Sequence, residues 1–512
     1  MILPVFEASA ELFCAEMDTK LAKIVAEALD LARRVPAILL AVQADQDRHG
    51  REKKAKRMAD LEWQKSRTPT FPTMDLAPTE AIDVESLSLD GGCPRMPAEV
   101  CYIFTVLRGY LGSVTASTAL ERIREAATIH RYLIQRGLSM PAERTILDNI
   151  NCVSNSTREL ILQAQMSAAL SEALDDLRMS IIDSTAIHAN SAWPTESELL
   201  HKLVRGTLRL GQGLEQFSLP GFREWHLPAW IKKLDALAFQ INFVGGKKGA
   251  TRKRRKLYQS VYKTAEKAAG RLETERDGLA ERVRTVELMP SARERLDMIW
   301  DRINVGIQSI RQVLDYSRRR ILQDAKIKND EKILSISDTS AGMIVKGQRE
   351  AILGYKPQVV RSENGLITGL ITPEGNAADT SCLIQSVQTH IKNTGVTPKK
   401  ISCDDGYAFG KARDELLQID GVKQVSFSGG TGKAIISEDD WFSDDYQFLR
   451  RKRSAVESCI FVLKHVFDFD RVGRRGIENV RAELLEKVLA HNFWRISFLR
   501  EQKKARTRLK AG

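Results

Sequence analysis

The sequence predicts an α/β fold: a sheet flanked by helices, split by a helical insertion, and preceded by a mainly α-helical region. Apolar residues recur with helical spacing through 205–330, and apolar strands stand on both sides of that stretch. After 331, strands alternate with helices, which is the order expected of a sheet with helices on its faces. A chain of 512 residues is too long for one ordinary domain, so we expect two to four.

The first 178 residues are predicted to be helical except for one linker. Helical spacing indicates a module over residues 1–66, and the proline- and glycine-rich segment 67–98 has the composition of a linker. A second helical region covers 99–178. Within it, Thr118–Gly137 and Glu143–Ile150 are separated by a turn with a proline, so this region is a candidate helix-turn-helix DNA-binding domain. Two helices that merely pack together remain the alternative.

The remaining chain divides into two parts of a sheet-containing core on either side of the insertion. The first part covers 179–204, the second 331–500, and a basic tail covers 501–512. The expected strands are 179–182, Ile333–Ser337, Tyr355–Arg361, Gly365–Thr372, Lys400–Cys403 and Gln424–Phe427, and the expected helices are Asp379–Lys392, Lys411–Leu417, 447–466 and 477–499.

The net charge of +12 hides an uneven distribution. Residues 1–200 carry 21 basic and 28 acidic side chains, whereas residues 201–512 carry 57 basic and 38 acidic ones. A concentrated positive charge favours a polyanionic partner, and the insertion holds the densest basic cluster. We expect that cluster to contact phosphates, with a solvated loop as the alternative; its members are Lys247, Lys248, Arg252, Lys253, Arg254, Arg255 and Lys256.

Composition also excludes several classes of protein. No apolar run approaches the roughly 18 residues of a membrane span, and the N-terminus lacks the pattern of a secretory signal, so we expect a cytoplasmic protein without a membrane partner. The seven cysteines include no CxxC pair. This argues against a disulfide framework and against a structural zinc site.

Three carboxylates stand where they can form a metal site. Asp183 closes the first strand of the core, Asp404 follows the strand Lys400–Cys403, and Glu457 lies within a predicted helix. Grouped carboxylates repel one another unless cations compensate them, and oxygen ligands of this kind suit Mg²⁺ or Mn²⁺. We therefore expect two Mg²⁺ ions, replaceable by Mn²⁺, at this site.

Arg453 and Lys464 share a helical face with Glu457 at spacings of four and seven residues. An acid flanked by two cations along one stripe suits a phosphodiester backbone lying across a metal site. The alternative is an ordinary Arg–Glu pair on a solvated helix face.

These residues also lie in motifs that resemble those of bacterial insertion-sequence DDE transposases. Asp183-Ser184-Thr185, followed by the stretch from Trp193 to Leu200, resembles the first catalytic segment of that family. Cys403-Asp404-Asp405-Gly406-Tyr407 is similar to its second segment, which places the catalytic aspartate on Asp404. Arg453, Glu457 and Lys464 match its R-x3-E-x6-K signature. Further likeness lies at 344–347, Gly354-Tyr355-Lys356, 374–379 and His491-Asn492, and the whole covers roughly 105–500.

The resemblance implies an RNase H-like mixed sheet and a DNA transposase that cuts the ends of its insertion sequence and joins them to target DNA. It implies that Asp183, Asp404 and Glu457 are both the catalytic residues and the metal ligands. It also implies double-stranded DNA as partner, a homo-oligomer on that DNA, and a bacterial, nucleoid-associated location during action. Arg453, Lys464, Lys346, Lys356 and the basic cluster are then expected to contact DNA.

The chain departs from the family pattern at two positions. Arg450 stands where the family has a tyrosine, three residues before the signature arginine, and Asp405 adds a negative charge beside Asp404. Asp338 is an alternative first acid, less favoured because it lacks the strand end and Ser-Thr pair of Asp183. The rival functions are a Mg²⁺-dependent nuclease with the same core and a catalytically silent, transposase-derived DNA-binding protein.

Overall fold

A computed structural model describes residues 19–67, 87, 96–111, 116–191, 195–244, 249–328, 331–345 and 350–511. The chain divides into two compact units. The first comprises residues 1–47, 91–190 and 340–512, and the second comprises 48–90 and 191–339.

The fold is mixed α/β and mostly helical. The strands are β1 Met179–Ser184, β2 Ile187–His188, β3 Gly342–Ile344, β4 Ile352–Tyr355, β5 Gln358–Arg361, β6 Ile367–Ile371, β7 Lys400–Cys403 and β8 Gln424–Phe427. The helices are α1 Thr19–Arg34, α2 Ala37–Arg67, α3 Ala98–Leu111, α4 Ala116–Glu125, α5 Ala127–Ile134, α6 Glu143–Cys152, α7 Asn155–Ser171, α8 Glu196–Gln212, α9 Leu227–Asn242, α10 Ala250–Thr285, α11 Pro290–Leu322, α12 Asp379–Thr394, α13 Gly410–Leu417, α14 Gly430–Ala434, α15 Glu438–Phe442, α16 Asp444–Lys452, α17 Ser454–Val466 and α18 Ile477–Ala511.

A five-stranded mixed sheet forms the centre of the first unit, with strand order β6-β5-β1-β7-β8. The central strand β1 pairs antiparallel with β5 and parallel with β7. Because side chains alternate along a strand, its neighbours Ile181 and Ile182 enter different cores on opposite faces of the sheet. β2, β4 and β3 form a separate three-stranded sheet.

The long helix α18 ties the helical N-terminal part to the sheet. Its Glu486 side chain is fully buried and accepts hydrogen bonds from Arg108 of α3 and Arg158 of α7 at 2.6 Å, and it also pairs with Arg474. Burial alone would raise the pKa of Glu486, but these three guanidinium groups hold it well below its usual value. α3 lies so close to α18 that a Cβ on Gly109 would sit 2.1 Å from the Glu486 carbonyl oxygen.

The second unit is helical, with a core built from α8, α9, α10 and α11. Its first helix begins with a capping box: the Thr195 hydroxyl accepts the Glu198 backbone N–H, and the Glu198 carboxylate accepts that of Thr195. Part of the first family-like motif, Thr195 to Leu200, is therefore a helix start. Trp193 and Pro194 of that motif lie outside the described residues.

Several predicted elements differ in the structure. Ile333–Ser337 is not a strand. The predicted strand Tyr355–Arg361 is two strands in different sheets, because Pro357 has no backbone N–H and restricts Lys356 before it. The predicted helix 447–466 is interrupted at Arg453, and the predicted helix Thr118–Gly137 is interrupted at Ala126.

Residues 19–47 fall within the first unit. The Tyr102 hydroxyl of α3 donates to the Ala28 carbonyl of α1. Arg500 of α18 lies 3.1 Å from Asp30. Residues 68–86 and 88–95 of the predicted linker lie outside the described residues.

Candidate active site

Asp183 and Asp404 meet at one edge of the five-stranded sheet. β1 and β7 run parallel with Ile182 opposite Cys403, so the residue that follows each of them comes at the same level. Ile182 and Cys403 pack into the core on the α12 side, and side chains alternate between faces. The carboxylates of Asp183 and Asp404 therefore project together on the other face.

Glu457 reaches the same place from a helix that packs on that face. Val456 of α17 and Leu449 of α16 pack against Met179 and Ile181 of β1. The helix pair is thereby fixed over the strand that carries Asp183. Glu457, the neighbour of Val456, lies at the exposed border of this contact.

The guanidinium of Arg453 lies among the three acids. Its Nη1 is 3.2 Å from Asp404 Oδ1 and 3.7 Å from Asp183 Oδ2, while its Nη2 donates to Glu457 Oε1. Residues from two strands and a helix thus converge on one side chain. The arginine is located between α16 and α17, where the predicted continuous helix is interrupted.

Each aspartate is also held by a neighbouring serine. The Ser184 backbone N–H donates to Asp183 Oδ1 at 2.7 Å, and the Ser428 hydroxyl donates to Asp404 Oδ1 at 2.8 Å. The side chain of Asp183 is 8% exposed, against 40% for Asp404 and 54% for Glu457. The site is therefore anchored at its buried end and open to solvent at the other.

Asp405, the neighbour of Asp404, has a different role. Its carboxylate accepts the backbone N–H groups of Gly432 at 2.7 Å and Thr431 at 3.1 Å, which caps the short helix α14. Burial alone would raise the pKa of Asp405, but these backbone hydrogen bonds lower it below its ordinary value. The carboxylate that faces Arg453 is that of Asp404.

Tyr407 fixes the segment that follows Asp404. Its buried hydroxyl donates to the Gln358 side chain of β5, and burial raises the pKa of Tyr407 well above its ordinary value. Gln358 pairs with Ser184 in the sheet, so this bond joins the two aspartate-bearing segments. Burial also raises the pKa of the Cys403 thiol, and the adjacent Asp183 and Asp404 raise it further.

The donor set fits a divalent metal, although the carboxylates are arranged around an arginine. Three carboxylates offer the hard oxygen ligands that Mg²⁺ and Mn²⁺ prefer. Over the described ranges, however, no three acidic, histidine or cysteine side chains are grouped closely enough to hold a cation as they stand. The residue types therefore suit a divalent metal, whereas the positions of the three carboxylates suit the Arg453 guanidinium.

The other residues predicted to contact DNA have varied surroundings. Lys464 Nζ is 2.8 Å from Asp470 and 2.9 Å from the Ala186 carbonyl, so it braces the segment after β1. Although burial alone would raise the pKa of Asp470, Lys464 holds it below its ordinary value. Lys356 lies 2.9 Å from Asp379 with a side chain only 12% exposed.

Within the basic cluster, Arg252, Lys253 and Lys256 of α10 are exposed. Arg254 donates to the Val244 carbonyl at 3.0 Å, and Arg255 pairs with Asp324. Lys247, Lys248 and Lys346 lie outside the described residues. Asp338, the alternative first acid, belongs to the second unit, whereas Asp183 belongs to the first.

The sequence motifs did not identify Ser428 or the role of Arg450. Arg450 Nη2 donates to the Ser428 carbonyl at 2.8 Å, and its guanidinium stacks 4.2 Å from the centroid of the Trp441 ring. It therefore supports the serine that holds Asp404. An arginine in place of the family's tyrosine was the only sequence signal.

The family-like His491-Asn492 pair is structural. The Asn492 side chain accepts the Ile367 N–H at 2.9 Å and donates to the Ile367 carbonyl at 2.8 Å, which fastens α18 to β6. Burial lowers the pKa of His491 to about 4.

Comparison with known families gives one match. Residues 330–493 match the family model described as the transposase DDE domain, which confirms the resemblance stated from the motifs. The match includes Asp404, Arg453, Glu457 and Lys464, whereas Asp183 precedes it. No significant match was found among curated proteins or among solved structures. No helix in the described part of the chain is long and apolar enough to cross a membrane.

Proposed function

Residues 330–493 of this chain match the transposase DDE domain, and we propose on that premise that the protein is an active DDE transposase of the insertion-sequence type. Its substrates are the ends of its own insertion sequence and a target DNA duplex. Asp183, Asp404 and Glu457 are the proposed catalytic residues and ligands of two Mg²⁺ ions, with Mn²⁺ as a substitute.

One observation carries the proposal. Three acids from distant parts of the chain meet around Arg453, although 220 positions separate Asp183 from the next of them in the numbering. The strand order supports it as well, since a central strand with one antiparallel and one parallel neighbour is consistent with an RNase H-like sheet.

The reaction needs two transfers at phosphorus. In the first, the oxygen of water attacks a phosphodiester at the element end, and the bond to the 3′ oxygen breaks, which leaves a 3′-hydroxyl. In the second, that hydroxyl oxygen attacks a target phosphodiester, and the target's own 3′ oxygen leaves. A divalent cation supplies Lewis acidity toward the phosphoryl oxygens when it is bound.

The chain's own residues place the reacting groups. Asp183 is held by the sheet and by the Ser184 N–H, and Asp404 is held by Ser428, so both carboxylates are positioned before DNA arrives. Arg453 and Lys464 supply positive charge along the same face for DNA phosphates. Arg252, Lys253 and Lys256 are exposed members of the basic cluster, and unlike Arg254 and Arg255 they have no hydrogen-bond or ion-pair partner for their side chains among the described residues; they are proposed to hold DNA.

The test uses the full chain with fluorescently labelled duplexes taken from the DNA on either side of its reading frame, and a supercoiled plasmid as target. We expect Mg²⁺- or Mn²⁺-dependent nicking and a joined product. Asp183→Asn, Asp404→Asn and Glu457→Gln should each lower both products at least 100-fold while duplex binding persists. Asp445→Asn is the matched control, because Asp445 is a 75% exposed acid of α16 that pairs with Lys400.

Other outcomes assign the rival functions. Cleavage without any joined product would identify a metal-dependent nuclease. Duplex binding without metal-dependent nicking would identify a silent DNA-binding protein. Retention of strand transfer by any one of the three variants would remove that residue from the proposed triad.

A further inference from the structure

We propose that Arg453 is the built-in counter-ion of the metal-free site, and that divalent cations and DNA displace it cooperatively. The inference rests on the proposed function, since it concerns the same three carboxylates. It adds a positioning role for Arg453 that phosphate contact alone does not include. Metal binding would release the guanidinium, and the released guanidinium would then bind DNA.

The first step is that Arg453 and a cation compete for the same oxygens. Arg453 faces Oδ2 of Asp183, Oδ1 of Asp404 and Oε1 of Glu457. On Asp183 the other oxygen, Oδ1, already accepts the Ser184 N–H. A cation bound between these carboxylates would therefore draw on the Asp183 oxygen that Arg453 contacts, and its charge would repel the guanidinium from all three.

The second step is that the site needs a counter-ion when no metal is bound. Three carboxylates close together, one of them only 8% exposed, repel one another and are costly to leave uncompensated. The Arg453 side chain is itself only 19% exposed. It therefore supplies positive charge at the buried end of the site, where bulk salt screens poorly.

The third step is that Arg453 has no other anchor in the part of the chain that the structure describes. Within the described residues, its side chain has no hydrogen-bond or ion-pair partner except the three carboxylates. Arg450, one turn earlier, is fixed instead by the Ser428 carbonyl and the Trp441 ring. Once the carboxylates bind a cation, no other described residue holds the Arg453 guanidinium in place.

Coupling between metal and DNA follows from these steps. A cation that frees Arg453 makes a phosphate ligand available, and a phosphate that attracts Arg453 makes the carboxylates available. By linkage, each ligand then raises the affinity for the other by the same factor. If Arg453 only contacted phosphate, its removal would not change the metal affinity of the protein in the absence of DNA.

The experiment measures metal affinity of the full chain by calorimetry, first without DNA. We expect Arg453→Gln to bind Mn²⁺ about tenfold more tightly than the wild type, within the usual range of coupling between two sites. Arg451→Gln is the matched control, because the substitution removes the same charge from an exposed side chain two residues away. The Mn²⁺ affinity of this control should stay within about twofold of the wild-type affinity, as expected for a side chain that does not interact with the site.

The second arm repeats the titration with Ca²⁺ and a short duplex of mixed sequence. The wild type and Arg451→Gln should bind Ca²⁺ several-fold more tightly when the duplex is present. Arg453→Gln should show little or no such gain, since the coupling group is gone. Arg453→Lys keeps the charge on a single ammonium and should fall between the two, which covers the case in which the glutamine variant folds poorly.

The outcomes separate this inference from the proposed function. Unchanged or weaker Mn²⁺ binding by Arg453→Gln, with wild-type binding that Asp183→Asn abolishes, would overturn the inference and leave the metal site standing. Wild-type protein that binds neither Mn²⁺ nor Ca²⁺, with or without the duplex, would overturn both. Equal gains from DNA in the wild type and Arg453→Gln would overturn the coupling.

Discussion

At the scale of single residues, two adjacent aspartates of one motif have separate tasks. Asp404 faces Arg453, whereas Asp405 caps α14 through two backbone N–H groups. The motif resemblance placed the catalytic role on Asp404, and the contacts of both carboxylates agree with that proposal. The sequence did not show why a second acid is tolerated beside the site. The structure explains it, because the Asp405 carboxylate is hydrogen-bonded to the first turn of α14.

Gly429 is required by this arrangement. A Cβ there would lie 2.5 Å from Asp405 Cγ, so Gly429→Ala must displace a carboxylate that is tied to α14. Loss of the cap should lower the free energy of unfolding by about 1 to 2 kcal/mol. The measurement is denaturant unfolding of the full chain, with Gly430→Ala as control because a Cβ on Gly430 meets nothing within 4 Å. Equal stability of the two variants would contradict the account.

Other single residues show where sequence patterns are ambiguous. Lys356 and Lys464 match positions expected to contact DNA, yet each forms an ion pair within the first unit. The sequence alone does not distinguish a lysine that binds phosphate from one that pairs with a neighbouring carboxylate. Only the fold shows that Asp379 and Asp470 are near.

At the scale of elements, the sequence predicted isolated strands better than interrupted ones. Lys400–Cys403 and Gln424–Phe427 were predicted with the bounds that the structure has, because each is a short apolar run between polar turns. α14 and α15, of five residues each, were missed since they are too short for helical periodicity. The helix interruption at Arg453 could not be predicted, because no proline or glycine lies near this residue in the sequence.

The register of the strands relative to one another could not be predicted from the sequence. Nothing in the spacing shows that Ile182 pairs with Cys403, which brings Asp183 level with Asp404. The predicted convergence of the acids came from strand ends and from family resemblance. The structure supplies the parallel pairing and the packing of α16 and α17 on β1 that bring them together.

Helix α12 carries a buried histidine that makes stability depend on pH. His390 Nε2 is 3.0 Å from the Leu177 carbonyl and therefore donates, while Nδ1 accepts from the Thr368 hydroxyl at 2.7 Å. Burial lowers the pKa of His390 from 6.5 to about 4. The folded protein thus keeps this ring neutral at pH values at which the unfolded chain takes up a proton.

The sign of the effect follows from that difference. Between about pH 6.5 and 4 the unfolded chain binds more protons, so the free energy of unfolding falls as the pH falls through this window. For His390 the full loss is on the order of 3 kcal/mol. Above pH 6.5 the contribution is constant. Buried His491, with its pKa also lowered to about 4, adds to the loss with the same sign.

We therefore expect His390→Gln to lose less stability than the wild type between pH 7.5 and 4.5, whatever its stability at pH 7.5. Denaturant unfolding at several pH values measures the two slopes. His130→Gln is the control, because it makes the same change at an exposed histidine on α5. Parallel curves for the wild type and His390→Gln would contradict the assignment.

At the scale of the whole molecule, charge has to be judged by pairing as well as by count. The sequence total of +12 includes many arginines that are neutralised locally. In the second unit, Arg311, Arg318 and Arg319 pair with Glu273, Glu266 and Glu331. Arg252, Lys253 and Lys256 in the same unit form no ion pair among the described residues and are exposed. The sequence predicts phosphate contacts for the entire cluster. Among its described members, Arg254 is bound to the Val244 carbonyl and Arg255 to Asp324, which leaves these three side chains without a partner among the described residues.

This difference predicts how DNA affinity responds to salt. Each phosphate that a cation contacts releases counter-ions, and the slope of log affinity against log salt changes by about 0.9 per contact. A variant combining Arg252→Ala, Lys253→Ala and Lys256→Ala should therefore have a slope shallower by up to about 2.7, together with weaker binding. The slope is measured with a labelled mixed-sequence duplex over a range of KCl concentrations, in EDTA to prevent cleavage.

The control removes the same net charge from the same unit. A variant combining Arg311→Ala, Arg318→Ala and Arg319→Ala should leave the slope close to that of the wild type, because those guanidinium groups are already paired with carboxylates. If the two triple variants flattened the slope equally, DNA would be responding to overall charge, and the exposed start of α10 would not be a contact surface. A change confined to the first variant would instead place phosphates at the helix start, separate from the carboxylate site of the first unit.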